Sequence, residues 1–167
     1  INIPTTESRP EEMKKLVSYL KGQFEAAGIK DVVVKDHDGT QSMIVRWKAE
    51  GKPSKKPILL LGHMDVVEAK REDWPRDPFK MVEEGGYLYG RGAIDMKSGI
   101  AAIANSLLWL KAEGFKPKRD IIILFTGDEE TSGNGALRAA TEWRDLVDAE
   151  YALNADAGGG AFTKDMK

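Results

Sequence analysis

The sequence predicts an α/β protein, a three-layer αβα arrangement around a largely parallel mixed sheet. Three observations carry that reading. Ile58–Leu61 and Ile121–Phe125 are short, unbroken apolar runs, the mark of central strands buried on both faces. Helical patterns alternate with the strands, the order that α/β layering requires. Polar groups follow each run at once: His63 and Asp65 after the first, Asp128, Glu129 and Glu130 after the second. Ligands of open α/β sheets collect outside the carboxyl ends of the strands, so chemistry is expected there.

Residues 1–7 read as an extended lead-in. A helix is predicted from about Pro10 to Ala27, with Ser8 and Glu11 as a capping box and Met13, Leu16, Val17, Leu20 and Phe24 along one face. Gly28 ends it. Val32–Val34 and Met43–Trp47 read as strands joined by Asp36-His37-Asp38-Gly39, whose Asp-Gly pair is a hairpin signal. The buried strand Ile58–Leu61 follows, bounded downstream by Gly62. Pro75 and Pro78 mark residues 68–80 as a loop, and Lys80–Val82 with Tyr87–Tyr89 flank a second hairpin turn, Glu83-Glu84-Gly85-Gly86. After Gly90–Lys97 a helix carries Ile100, Ile103, Ala104, Leu107, Leu108 and Leu110 on to about Glu113 and stops at Gly114. Strand Ile121–Phe125, a helix from about Gly135 to Val147, and strand Tyr151–Asn154 complete the pattern. Gly158–Gly160 and a polar tail come last. No helix or partner strand follows the final strand, so the sheet is expected to be incomplete at its C-terminus.

The chain has 167 residues, 41% hydrophobic and 31% charged, enough for one domain with a real core. A net charge of -2 gives no reason to expect nucleic acid or an anionic membrane as partner. No apolar run reaches membrane-spanning length and no signal peptide is visible. The chain begins at Ile1 without a Met, which leaves room for a removed leader, so localisation stays open between cytoplasm and export. With no Cys, disulfides and thiolate ligands are excluded, and any metal must be held by His and carboxylates.

Four groups fall at strand or loop ends: His63 with Asp65, Asp95, Glu129 with Glu130, and Asp156. Three adjacent carboxylates, Asp128-Glu129-Glu130, would repel one another beside a buried strand unless cations sat among them. Imidazole with carboxylates suits catalytic Zn²⁺, with Co²⁺ or Mn²⁺ as substitutes. Asp65, two residues beyond His63, is placed to accept the imidazole's other N–H. Each residue alone has a plainer reading. His63 could be a structural hydrogen bonder, Asp95 a helix N-cap, Glu129 and Glu130 a solvated helix start, and Asp156 a turn residue. Their joint placement favours the metal.

Gly-His-Met-Asp-Val-Val (62–67), Gly-Arg-Gly-Ala-Ile-Asp-Met-Lys-Ser-Gly (90–99) and Gly-Asp-Glu-Glu-Thr-Ser-Gly (127–133) resemble the signature motifs of the aminoacylase and carboxypeptidase family of co-catalytic zinc metallopeptidases, metallopeptidase family twenty. That family also holds acetylornithine deacetylase and succinyl-diaminopimelate desuccinylase, and the wording around Glu68–Trp74 looks closest to its carboxypeptidase S-like branch. The resemblance implies an enzyme that hydrolyses amide bonds in peptides or N-acyl amino acids through two zinc ions. His63 and Asp156 would bind one metal, Asp95 would bridge, Glu130 would bind the second, and Glu129 would be the general base with Asp65 orienting His63. It also implies a cis peptide after Asp95.

The family's second metal takes a further His far downstream, and a smaller lid domain, through which homodimers form, interrupts the catalytic domain. Neither is here. Residues 1–167 are therefore expected to be the N-terminal part of the catalytic domain, inactive alone. His37, the only other histidine, is expected at the surface of a hairpin turn. The rival readings are a co-catalytic zinc aminopeptidase of a related family and a degenerate binding module.

Overall fold

The computed structural model describes residues 1–156, so Gly158–Gly160 and the tail lie outside the described residues. In chain order the elements are α1 (Pro10–Ala26), β1 (Asp31–His37), β2 (Thr40–Trp47), β3 (Ile58–His63), β4 (Val82–Glu84), β5 (Tyr87–Tyr89), α2 (Lys97–Ala112), β6 (Ile121–Thr126), α3 (Asn134–Ala140), α4 (Arg144–Val147) and β7 (Tyr151–Asn154). Five strands form one sheet in the order β1-β2-β6-β3-β7, and β4 with β5 forms a separate hairpin. β3 runs parallel to both β6 and β7, whereas β1, β2 and β6 pair antiparallel.

Side-chain alternation along the central strands builds the three layers. Ile123 and Phe125 of β6, with Met43 and Val45 of β2, pack under α1 and α2. Ile122 and Leu124, with Ile44 and Leu59, pack against Ala139, Trp143 and Val147 of the α3–α4 region on the opposite face. Because β6 is buried on both faces, its sequence is a continuous apolar run with no polar alternation, as expected of an internal strand.

Helix α1 buries the five predicted apolar side chains, but the Ser8–Glu11 capping box does not form. Arg9 is the N-cap, without a side-chain cap, and Pro10 is the first helical residue. A capping box on Ser8 would need Arg9 in the helix, and the following Pro10 disfavours that conformation. The loss is small: a cap is worth about 1 kcal/mol, against about 1.5–3 kcal/mol for each large apolar side chain fully buried.

β3 also runs further than predicted, through Gly62 to His63. Gly62 does not end the strand; it lets helix α2 approach it. A Cβ at Gly62 would lie 2.9 Å from Met96 Cε and 3.1 Å from Ile100 Cδ1. The β1–β2 hairpin is longer than predicted, turning only at Asp38 (φ 47°) and Gly39 (φ 83°). His37 is therefore the last residue of β1 and is buried, not a surface turn residue. It packs edge-on against Trp143 with ring centroids 5.4 Å apart and shares a 2.8 Å hydrogen bond between Nε2 and Ser42 Oγ.

The predicted helix Gly135–Val147 is two helices, α3 and α4. The break at residues 141–143 turns Trp143 into the core, and the Trp143 backbone N–H donates to Arg138 O at 2.8 Å. Burying one indole there outweighs continuing the helix through Thr141, a β-branched residue of low helix propensity. Among the described residues, no helix is long and apolar enough to cross a membrane.

Candidate metal centre

The parallel register places the site. His63 at the end of β3 lies opposite Thr126 at the end of β6, and Leu61 lies opposite Asn154 at the end of β7. β3 lies between β6 and β7, so the loop after β6 (Gly127–Gly133) and the residues after β7 flank His63 from two sides. The peptide Asp95–Met96 is cis, as the resemblance implied, and Asp95 stands just before the start of α2.

His63 is buried, and both ring nitrogens are engaged. Nε2 lies 2.9 Å from Asp95 Oδ1, 3.8 Å from Asp156 Oδ2 and 3.9 Å from Glu129 Oε2. Nδ1 lies 3.0 Å from the backbone oxygen of Asp65 and 3.3 Å from its Oδ1. Burial works against the imidazolium, but hydrogen bonds to Asp65 and Asp95, with the charges of Asp65 and Glu129, outweigh it and raise the pKa to about 9.

The Asp65 carboxylate does more than face His63. Its Oδ1 accepts the backbone N–H of Glu129 at 3.1 Å, and its Oδ2 that of Glu130 at 2.9 Å. It is shared between the imidazole and the acidic loop, and it fixes the position of that loop beside His63. The loop's three acids do not form one cluster, as their adjacency in sequence had predicted. Asp128 turns inward and is buried, while the Glu129 side chain is half exposed. Repulsion is relieved first by geometry: alternate side chains leave in different directions. Glu130 faces the remaining negative field. Its carboxyl pKa is raised, chiefly by desolvation and then by the charge of Asp95.

One donor atom each from His63, Asp95 and Asp156 falls within 4.8 Å of the others, a set that could hold a metal ion. The chemistry fits a divalent cation of borderline hardness, with one imidazole nitrogen, carboxylate oxygens and a second ring nitrogen held by the backbone.

Several supporting residues had no signal in the sequence. The His63 N–H donates to Met96 Sδ at 3.2 Å, and Met96 fills the space beneath Gly62. Thr5 is buried; its hydroxyl donates to Met64 O at 2.5 Å and its carbonyl accepts the Val66 N–H at 3.1 Å, on either side of Asp65. Lys97 donates to Ile3 O at 2.6 Å, tying the lead-in to α2, and burial lowers its pKa to about 8. The lead-in is thus a strap across the loops that carry the site. A signal for Thr5 would have required knowing that residues 1–6 fold back over β3.

The chain is similar in sequence and in fold to known proteins. Residues 59–164 match the model of Peptidase family M20/M25/M40. A probable succinyl-diaminopimelate desuccinylase of Staphylococcus aureus strain Mu50 is 38% identical over 133 residues, 78% of this chain and 32% of that protein. The N-fatty-acyl-amino acid synthase/hydrolase PM20D1 of Mus musculus is 43% identical over 81 residues, 48% of this chain and 16% of that protein. Among solved structures, the M20 family metallo-carboxypeptidase Sso-CP2 of Sulfolobus solfataricus superposes with a TM-score of 0.78 at 23% identity, over 94% of this chain and 35% of that one. At that identity the superposition speaks for the fold alone. The chain belongs to peptidase family M20/M25/M40. It spans about a third or less of the length of these relatives.

Proposed function

We propose that this chain is the N-terminal part of the catalytic domain of a zinc-dependent amidohydrolase acting on peptides or N-acyl amino acids. The single observation that carries the reading is the convergence of His63 Nε2 with carboxylate oxygens of Asp95 and Asp156, Glu129 Oε2 lying 3.9 Å from the same nitrogen. The substrate class follows the relatives, an N-fatty-acyl-amino acid synthase/hydrolase and a probable succinyl-diaminopimelate desuccinylase.

His63, Asp95 and Asp156 would hold one zinc ion; Asp95 would be shared with a second ion held by Glu130. When bound, the ions supply Lewis-acid polarisation of the scissile carbonyl and lower the pKa of water. Glu129, half exposed and facing the His63 side of the cleft, takes the proton of the attacking water and returns it to the leaving amine nitrogen. Asp65 holds the imidazole and, through the N–H groups of Glu129 and Glu130, the distance between base and metal.

Among the described residues the second ion would have Asp95 and Glu130 alone, so residues 1–167 by themselves are expected to show weak or single-ion occupancy and negligible turnover. The remaining ligand and the lid would come from chain beyond this span, consistent with the share of the relatives it covers.

The test uses the full-length protein. Amide hydrolysis should vanish with chelator and return with zinc. Glu129→Gln should reduce turnover by at least about 10²-fold, the usual contribution of a general base, with zinc affinity unchanged. Equal loss of zinc binding and turnover in Glu129→Gln would overturn the role given to it.

A further inference from the structure

Asp128 is 3% exposed and takes no part in the metal set, yet it sits next to the two glutamates of the site. Its carboxylate is engaged by α3 and by its own loop. Both oxygens lie 3.0 Å from the Gly135 N–H at the start of α3, and Oδ2 accepts the Ser132 hydroxyl at 2.6 Å. Its own carbonyl accepts the Gly133 N–H at 2.7 Å, closing the loop on itself. A Cβ at Gly135 would lie 2.6 Å from Asp128 Oδ1, 2.8 Å from Ser42 Oγ and 3.2 Å from His37 Cε1, so these groups form one packed wall. His37 Nδ1, 4.0 Å from Asp128 Oδ2, forms no hydrogen bond among the described residues.

We propose that Asp128 is a positioning residue for Glu129 and Glu130, anchoring their loop to α3 on the side opposite Asp65. The juxtaposition is specific. Glu129 and Glu130 give their N–H groups to Asp65, and the preceding residue plants a buried carboxylate in the opposite wall. Two carboxylates 63 positions apart thus grip the same short segment from either side, one facing the imidazole and one facing α3. Neither anchor alone fixes both ends of a loop whose glutamates reach toward the cleft. Asp65 sets where the two N–H groups lie; Asp128 sets the direction in which the loop leaves β6. Ser132 and Gly135 belong to the same device, the first as donor, the second because only a hydrogen fits beside Asp128. The proposal rests on the metal reading above, in which Glu130 is a ligand.

The experiment compares Asp128→Ala, Asp128→Asn and Ser132→Ala in the full-length protein by amide hydrogen exchange and by zinc titration. Ser132→Ala removes one donor from a partly exposed position and keeps the fold accessible if the Asp128 variants fold poorly. Exchange in residues 127–133 should accelerate at least about tenfold, while β6 amides stay within about twofold, because the loop opens locally. Zinc affinity should fall by about 10–100-fold, the usual effect of removing a group that orients metal ligands. Asp128→Asn, which keeps one acceptor oxygen, should lie between Asp128→Ala and the parent. Loop exchange and zinc affinity both unchanged would overturn the proposal. So would β6 and loop amides accelerating in step, which would reduce Asp128 to a global stabiliser. If the full-length parent bound no zinc, the metal reading would fail while the exchange result stood, so the two failures are separable.

Discussion

The Asp65 carboxylate accepts the backbone N–H of Glu130 at 2.9 Å across 65 positions of sequence. The residue expected to orient His63 therefore also determines where the acidic loop stands. Asp65→Asn tests this double use. An amide has one acceptor oxygen, and its NH₂ would oppose one of the two loop N–H groups. We expect zinc affinity about 10–100-fold weaker, measured by calorimetric titration, since a carboxylate behind a metal-binding histidine commonly contributes that much. An unchanged affinity would mean that the Asp65 backbone oxygen alone orients His63.

The pKa of His63 gives a pH prediction for the metal-free chain. Its folded value of about 9 exceeds the ordinary 6.5, so the imidazolium contributes stability that is fully present below 6.5 and lost as pH rises through 9. Lys97 acts in the opposite sense. Its folded pKa of about 8 lies below 10.5, so its share of the stability rises above pH 8. The difference between parent and His63→Gln isolates the imidazole: the Tm gap between them should narrow from pH 6.5 to 9. Apparent zinc affinity should rise over the same interval, because metal and proton compete for Nε2. A gap that does not change with pH would contradict the contacts assigned to His63.

Gly62→Ala tests the close approach of α2 to β3. The added Cβ would lie 2.9 Å from Met96 Cε and 3.1 Å from Ile100 Cδ1, at the end of flexible side chains in a packed core. A loss of about 1–3 kcal/mol, the usual cost of overpacking, is expected from urea unfolding. Met96→Ala should offset part of it in the double variant, and strict additivity of the two losses would argue against the contact.

Much of the architecture was legible because it depends on side-chain pattern. The apolar runs of β3 and β6, the buried face of α1 and the Asp38-Gly39 turn each declare themselves over a few residues. The four loops of the candidate site were legible as positions for the same reason: each follows a recognisable strand or precedes a recognisable helix. What escaped was set by tertiary packing. His37 reads as a turn residue until β1 is known to extend to it, and the α3–α4 break depends on where Trp143 finds its pocket. Asp128 shows the limit most clearly. Sequence places it with Glu129 and Glu130, and the fold turns it the other way, into the wall beneath α3.

His63, Asp95 and Asp156 are proposed to meet around a divalent cation. Anomalous diffraction at the zinc edge, from crystals of the chain grown with zinc, tests it most directly. A peak is expected at coordination distance, about 2.0–2.2 Å, from His63 Nε2 and from carboxylate oxygens of Asp95 and Asp156, and it should be lost in His63→Ala. Zinc bound elsewhere on the surface, or a peak at this site that survives in His63→Ala undiminished, would contradict it.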